Sequence, residues 1–92
     1  MSAPLARVVG LAEVVRGDAA VVVNLPRLEE QQVPHLFTGP SFEIWRRIDG
    51  TRTKGEIADE LAVAYGASRD VVAADVNVLV AQLGALGLIL EA

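Results

Sequence analysis

The hydrophobic period changes partway along this chain, and that change constrains the fold more than any other feature. From Arg7 to about Phe37 the apolar residues form β-branched runs, and from Ser41 to Leu86 they recur at helical spacing. Between the two regimes stands Thr38-Gly39-Pro40. Proline is tolerated in the first turn of a helix, where its missing N–H has no partner to lose. Strands first and helices second is the order of an α+β domain.

In the strand half, Val8, Val9, Leu11, Val14 and Val15 read as one stretch, followed by Gly17-Asp18, a pair suited to a two-residue hairpin turn of type I′ or II′. Ala19 to Leu25 is the second strand. Pro26 ends it, because proline cannot donate to a ladder, and Arg27 to Gln31 is a polar connection. Gln32 to Phe37 alternates, with Val33, His35 and Phe37 on one side and Gln32, Pro34 and Leu36 on the other. Pro34 within this third run marks it as an edge strand.

In the helical half, Phe42, Trp45 and Ile48, with Ile44 beside them, define a short amphipathic helix ending at Asp49-Gly50. Trp45 belongs to its core face. Thr53-Lys54-Gly55-Glu56 is a capping box that opens a second helix carrying Ile57, Leu61 and Tyr65 and stopping at Gly66. Ser68 is placed to cap a third helix, whose apolar face is Val72, Val76, Leu79, Val80 and Leu83; Gly87 ends it. Leu88 to Leu90 either returns as a strand or packs on the core. The expected architecture is a single domain, residues 1–92, with a three-stranded antiparallel sheet (about 7–37) followed by three helices (about 41–86).

Composition excludes several functions. With 92 residues, 52% of them hydrophobic, the chain has enough apolar surface for one core, burying about 60–65% of its extended surface. It has no cysteine, hence neither disulfides nor thiolate chemistry. His35 is its only histidine, so no metal site is expected. It has no Gly-rich phosphate loop and no nucleophile elbow, and Asp59 and Glu60, adjacent on a helix, point apart. The expectation is a protein that is not an enzyme and needs no cofactor. The stretch Met1 to Arg16 lacks the pattern of a signal peptide, and no apolar run is long enough to span a bilayer, so a cytoplasmic protein without membrane contact is expected. Net charge is −4 and pI about 4.8, against the cationic character of nucleic-acid binders.

The segment Ile44-Trp45-Arg46-Arg47-Ile48-Asp49-Gly50-Thr51-Arg52-Thr53, continued by Glu56-Ile57 and Leu61, resembles the PqqD-like family. So does the later run of Asp75-Val76, Leu79, Leu83 and Gly87-Leu88. With the strand spacing, the resemblance covers nearly the whole chain. The family is the recognition element for ribosomally made, post-translationally modified peptides (RiPPs). The resemblance implies a winged-helix-like arrangement in which a precursor's leader peptide adds beside the third strand, in a cleft against the third helix. The Ala/Val-rich, acidic character is most similar to the free-standing leader-binding proteins of lasso peptide biosynthesis. Those deliver the precursor to a leader peptidase, a transglutaminase-like cysteine protease, and then to a cyclase. The third strand departs from the family's pattern: Phe37 stands in for a leucine, Thr38 for the capping asparagine, and Pro34 removes one strand N–H.

Strand addition requires an unpaired row of N–H and C=O groups, with specificity supplied by neighbouring side chains. The expected peptide-binding residues are therefore Gln32, Val33, Pro34, His35, Leu36 and Phe37, with Val72, Asp75, Val76 and Leu79 as the facing wall. The plainer alternative makes Val76, Leu79 and Leu83 simple core and Asp75 a solvated carboxylate. Two other functions compete: a winged-helix DNA-binding regulator and an adaptor for a protein partner. The first requires a basic recognition helix, yet the third helix carries Arg69 with Asp70 and Asp75.

Overall fold

Gly10 divides what the sequence presents as one β-branched stretch. Its φ of 94° is open to glycine and strained for other residues. The chain turns at Val9-Gly10 and leaves two strands, β1 (Leu5–Arg7) and β2 (Leu11–Arg16). The computed structural model describes residues 3–24 and 34–91. The single first strand expected from sequence is thus corrected to two, and β1 does not join the main sheet. It pairs antiparallel with β5 (Ile89–Glu91), so the apolar C-terminal run both forms a strand and buries Leu88 and Ile89.

The main sheet has the order β2-β3-β4, with β3 at Ala19–Asn24 and β4 at His35–Thr38. Both pairings are antiparallel, Leu11↔Asn24 through Arg16↔Ala19 and Ala19↔Thr38 through Val22↔His35. The Arg16↔Ala19 pair leaves Gly17-Asp18 as the two-residue turn, with Gly17 at φ 60°. Register decides which face is buried. Ala20, Val22 and Phe37 face the helices and are buried, while Val14, Val21 and Leu36 face outward. Within the described residues β4 begins at His35, and Pro34 precedes it with its side chain exposed. The expectations for Leu25, Pro26, the 27–31 connection, Gln32 and Val33 lie outside the described residues.

Helices α1 (Pro40–Arg46), α2 (Lys54–Tyr65) and α3 (Arg69–Ala85) complete the expected α+β fold of three-stranded antiparallel sheet and three helices. Gly39, not Thr38, is the N-cap of α1, with φ 56° and ψ −131°, a region of the map reserved for glycine. The helix also stops earlier than Asp49-Gly50. Arg47 N–H bonds Ile44 O and Ile48 N–H bonds Trp45 O, each 3.1 Å, so the last turn tightens to i→i−3 spacing. The capping box at α2 is complete: Glu56 N–H donates to Thr53 Oγ1 at 3.2 Å, and Thr53 N–H donates to Glu56 Oε1 at 2.9 Å. At the end of α3, Leu88 N–H reaches Leu83 O (3.0 Å) and Gly87 N–H reaches Gly84 O (3.1 Å), a Schellman closure sealed by buried Leu83 and Leu88. Among the described residues no helix is long and apolar enough to cross a membrane.

Trp45 ties these parts together. Its fully buried indole stacks on Phe37 of β4, with ring centroids 5.0 Å apart. The Arg7 guanidinium of β1 lies 4.3 Å from the ring centre and donates to Trp45 O at 2.9 Å. Indole Nε1 donates to Glu13 Oε2 of β2, and Arg7 Nη1 bonds the other oxygen of Glu13 at 3.0 Å. One side chain therefore meets both sheets and sets where β4 lies against α1.

The loop after α1 is held just as locally. Asp49 Oδ1 accepts from Thr51 N–H (3.0 Å) and Thr51 Oγ1 (2.6 Å), and Arg52 bridges Asp49 Oδ2 (2.9 Å) to Glu60 Oε2 (2.6 Å). Leu5 N–H to Arg52 O and Gly50 N–H to Leu5 O, both 2.8 Å, bind this loop to β1.

Two outcomes follow for stability. Trp45→Phe keeps a ring against Phe37 but loses the bond to a carboxylate, and should lower unfolding stability by about 2–3 kcal/mol in urea titration. The Thr51 hydroxyl and N–H, with Arg52, hold the Asp49 carboxyl below its ordinary value of 3.8. A depressed folded value contributes stability that is complete above the unfolded value and lost as pH falls through the folded one. Asp49→Asn should therefore flatten the acid limb of the stability profile below about pH 4 and leave its slope near neutrality unchanged, as read from urea midpoints.

Candidate functional site

β4 is an edge strand: among the described residues its ladder partner is β3 alone. Alternate residues of a strand send their N–H and C=O groups to opposite sides, so half of the groups in His35–Thr38 face away from β3. Such an edge is a template for another strand. Pro34 stands at its entry and offers no N–H.

The chain passes from β4 through Gly39 directly into Pro40, and Pro40 forms the rim of a groove between α1 and α3. The groove has two adjoining hollows. One, about 280 Å³, lies among Ser41, Val78, Leu79 and Gln82; the other, about 180 Å³, among Leu61, Tyr65, Val71 and Val72. Pro40, Ile44 and Asp75 border both. Val71, Asp75, Val78 and Gln82 follow one another at i, i+4, i+7 and i+11, so α3 turns a single stripe toward the groove. That stripe alternates apolar and polar residues, with the Asp75 carboxylate between Val71 and Val78.

The expected wall residues separate into two groups. Asp75 is exposed and Leu79 half-buried, and both border the groove. Val72 is buried beneath the second hollow, and Val76 is wholly buried in the core with Leu83. On the strand, Phe37 is buried against Trp45, His35 is half-buried with Nε2 lacking a hydrogen-bond partner, and Leu36 points outward. Gln32 and Val33 lie outside the described residues. Sequence reasoning missed Val71, Val78, Tyr65, Pro40 and Ile44. The stripe at 71, 75, 78 and 82 was a usable signal, but it lies beside the stronger core stripe at 72, 76, 79, 80 and 83.

The surface of α3 does not suit a phosphate backbone. Its Arg69 is committed to Asp59 at 2.7 Å, and Asp70 and Asp75 are exposed. DNA-reading helices instead present free Arg and Lys.

Three comparisons bear on this arrangement. Residues 38–89, more than half of the chain, match the family model of PqqD, coenzyme PQQ synthesis protein D. A PqqA binding protein of Gluconobacter oxydans (strain 621H) is 42% identical over 48 residues, covering 52% of this chain and 50% of that protein. The chain thus matches about half the length of that relative. A solved structure of TbiB1 in complex with the TbiA(beta) leader peptide superposes with a TM-score of 0.79 at 17% identity, over 91% of this chain and 93% of that one. At that identity the likeness is one of fold.

Burial separates floor from wall and makes a direct test. Val76 is 0% exposed and Val78 is 60% exposed. Val76→Asp should unfold the domain or cost more than about 3 kcal/mol, whereas Val78→Asp should stay within about 0.5 kcal/mol of wild type by urea denaturation.

Proposed function

The chain belongs to the PqqD family, and from that premise we propose that it is a non-catalytic recognition element for the leader region of a ribosomally synthesised precursor peptide. The leader adds as a strand to the open edge of β4 and lays alternate side chains into the groove between α1 and α3. The observation that carries this reading is the open edge leading through Gly39 into Pro40, on the rim of two hollows that flank Asp75. Main-chain bonds to β4 supply affinity with little sequence preference, and the hollows supply selectivity. Two apolar leader residues fill them. Asp75 meets a basic or hydroxyl group between the two. Further support comes from a relative named for binding PqqA and from a like-folded structure that holds a leader peptide.

In this reading the protein is a cytoplasmic delivery factor. It hands the precursor to a separate leader peptidase of the transglutaminase-like cysteine protease type, and then to a cyclase, as in lasso peptide biosynthesis. The acidic, Ala/Val-rich composition supports the lasso assignment. A short open reading frame, a peptidase and a cyclase encoded beside this chain would be the corresponding genomic arrangement.

Fluorescence polarisation with a labelled synthetic leader, taken from the precursor encoded beside this chain, tests the assignment. Val78→Asp should weaken binding at least about tenfold, since a carboxylate desolvated in an apolar hollow costs more than 1.4 kcal/mol. Asp75→Asn should weaken it less and reduce its salt dependence. Wild-type affinity in a folded Val78→Asp variant would exclude the groove as the binding site.

A further inference from the structure

The face of the main sheet that points away from the helices is not the polar surface usual for the solvated side of an antiparallel sheet. The register aligns Val14 of β2 with Val21 of β3, and Val21 with Leu36 of β4. These side chains are 57%, 39% and 66% exposed. They form one apolar row across all three strands of the sheet. On the opposite face the equivalent positions Val22, Ala20 and Phe37 are buried under the helices, so the exposed row is not a fringe of the core. Arg16 and Thr38, on the same outer face, bound it at one end.

The row ends on β4, one of the two outer strands of the sheet and the one the proposed leader joins. Directly opposed residues of neighbouring strands point to the same face, about 5 Å apart, whether the pairing is parallel or antiparallel. A strand added to β4 must therefore place one residue opposite Leu36, on the outer face, as the fourth member of the row. Val14, three strand spacings away, lies about 14 Å from that residue and cannot touch it.

We propose that Leu36 is a specificity-determining residue for the bound peptide. It selects an apolar, β-branched or aromatic side chain at the position opposite it, on the outer face of the sheet. This rests on strand addition at β4, and it extends recognition beyond the groove. Successive residues of a strand point to opposite faces. A site that reads only the groove asks for apolar residues at alternate positions, with any residue between them. A site that also reads through Leu36 asks for apolar residues at consecutive positions. The recognised segment is then a short, continuously apolar stretch rather than an amphipathic strand.

A random octapeptide display library panned on the wild-type domain, on Leu36→Thr, on Val14→Thr and on Val78→Asp tests this without knowledge of the natural leader. Leu36 and Val14 are exposed and threonine suits a strand, so both threonine variants keep the fold. The wild type should select peptides with apolar residues at two alternate positions and at a position between them. Leu36→Thr should relax the intermediate position alone, and Val14→Thr should change nothing. A wild-type consensus peptide should lose roughly two- to fivefold in affinity on Leu36→Thr, the range of one favourable cross-strand pair. An intermediate position that is unconstrained in the wild-type selection, or unchanged by Leu36→Thr, overturns the role of Leu36 while leaving groove binding intact. Selected peptides that bind Val78→Asp as well as the wild type overturn the groove reading on which this inference rests, and a library that yields no binder overturns both.

Discussion

The position of β4 depends on the indole of Trp45. The ring stacks on Phe37 of β4, carries the Arg7 guanidinium of β1 on its face and donates to Glu13 of β2. These are three different kinds of attraction, and each reaches a different strand. The hydrophobic term is the largest, since a buried aromatic removes more apolar area from water than other side chains. The polar terms decide orientation: the indole N–H is buried and must find an acceptor, and Glu13 is that acceptor while Arg7 neutralises its charge. Because Trp45 is on α1, the same contacts set the angle at which α1 leaves the sheet. That angle determines whether Pro40 and Ile44 border a groove against α3 or lie flat on the core.

Within Ile44–Thr53, the first segment of the family resemblance, the residues build this scaffold and Ile44 alone lines the groove. Trp45 is buried, Asp49 and Thr51 close the turn after α1, Arg52 joins that turn to Glu60, and Thr53 caps α2. Gly50 and Arg52 bond Leu5 through their backbones, which fastens β1 beneath the turn. The groove stripe of α3, by contrast, consists of residues whose only structural demand is to face outward: Val71, Asp75, Val78 and Gln82. A fold of this kind can vary its ligand by changing that stripe without disturbing the turn. The apolar row on the outer face of the sheet has the same freedom, because its side chains are exposed.

Much of the fold was legible because it is encoded locally. The change of period at Thr38-Gly39-Pro40, the Gly17-Asp18 turn, the Thr53–Glu56 capping box and the stops at Gly66 and Gly87 are short-range signals, and each corresponds to a feature of the structure. The failures are of two kinds. The sequence presents β1 and β2 as one strand because Val8 and Val9 continue the β-branched run, and because the pairing of β1 with β5 joins distant parts of the chain. At the start of α1, proline stands in the first turn as expected, but the expected side-chain cap at Thr38 gives way to a backbone solution that only Gly39 permits. Of the expected wall residues, Asp75 and Leu79 border the groove; Val71 and Val78 border it too and are not among those expected. On a helix that is apolar over most of its circumference, periodicity identifies which residues share a face, and only tertiary packing, chiefly against α2, decides which face is covered.

The central claim is that a peptide completes the sheet at β4. Amide hydrogen exchange of the domain, measured with and without saturating leader peptide, tests it most directly. The account predicts added protection at alternate amides within His35–Thr38, with the amides of β2 unchanged, because only the edge of β4 gains hydrogen-bond partners. Saturable binding that leaves the β4 amides as exchangeable as before, or that protects β2 instead, would contradict it.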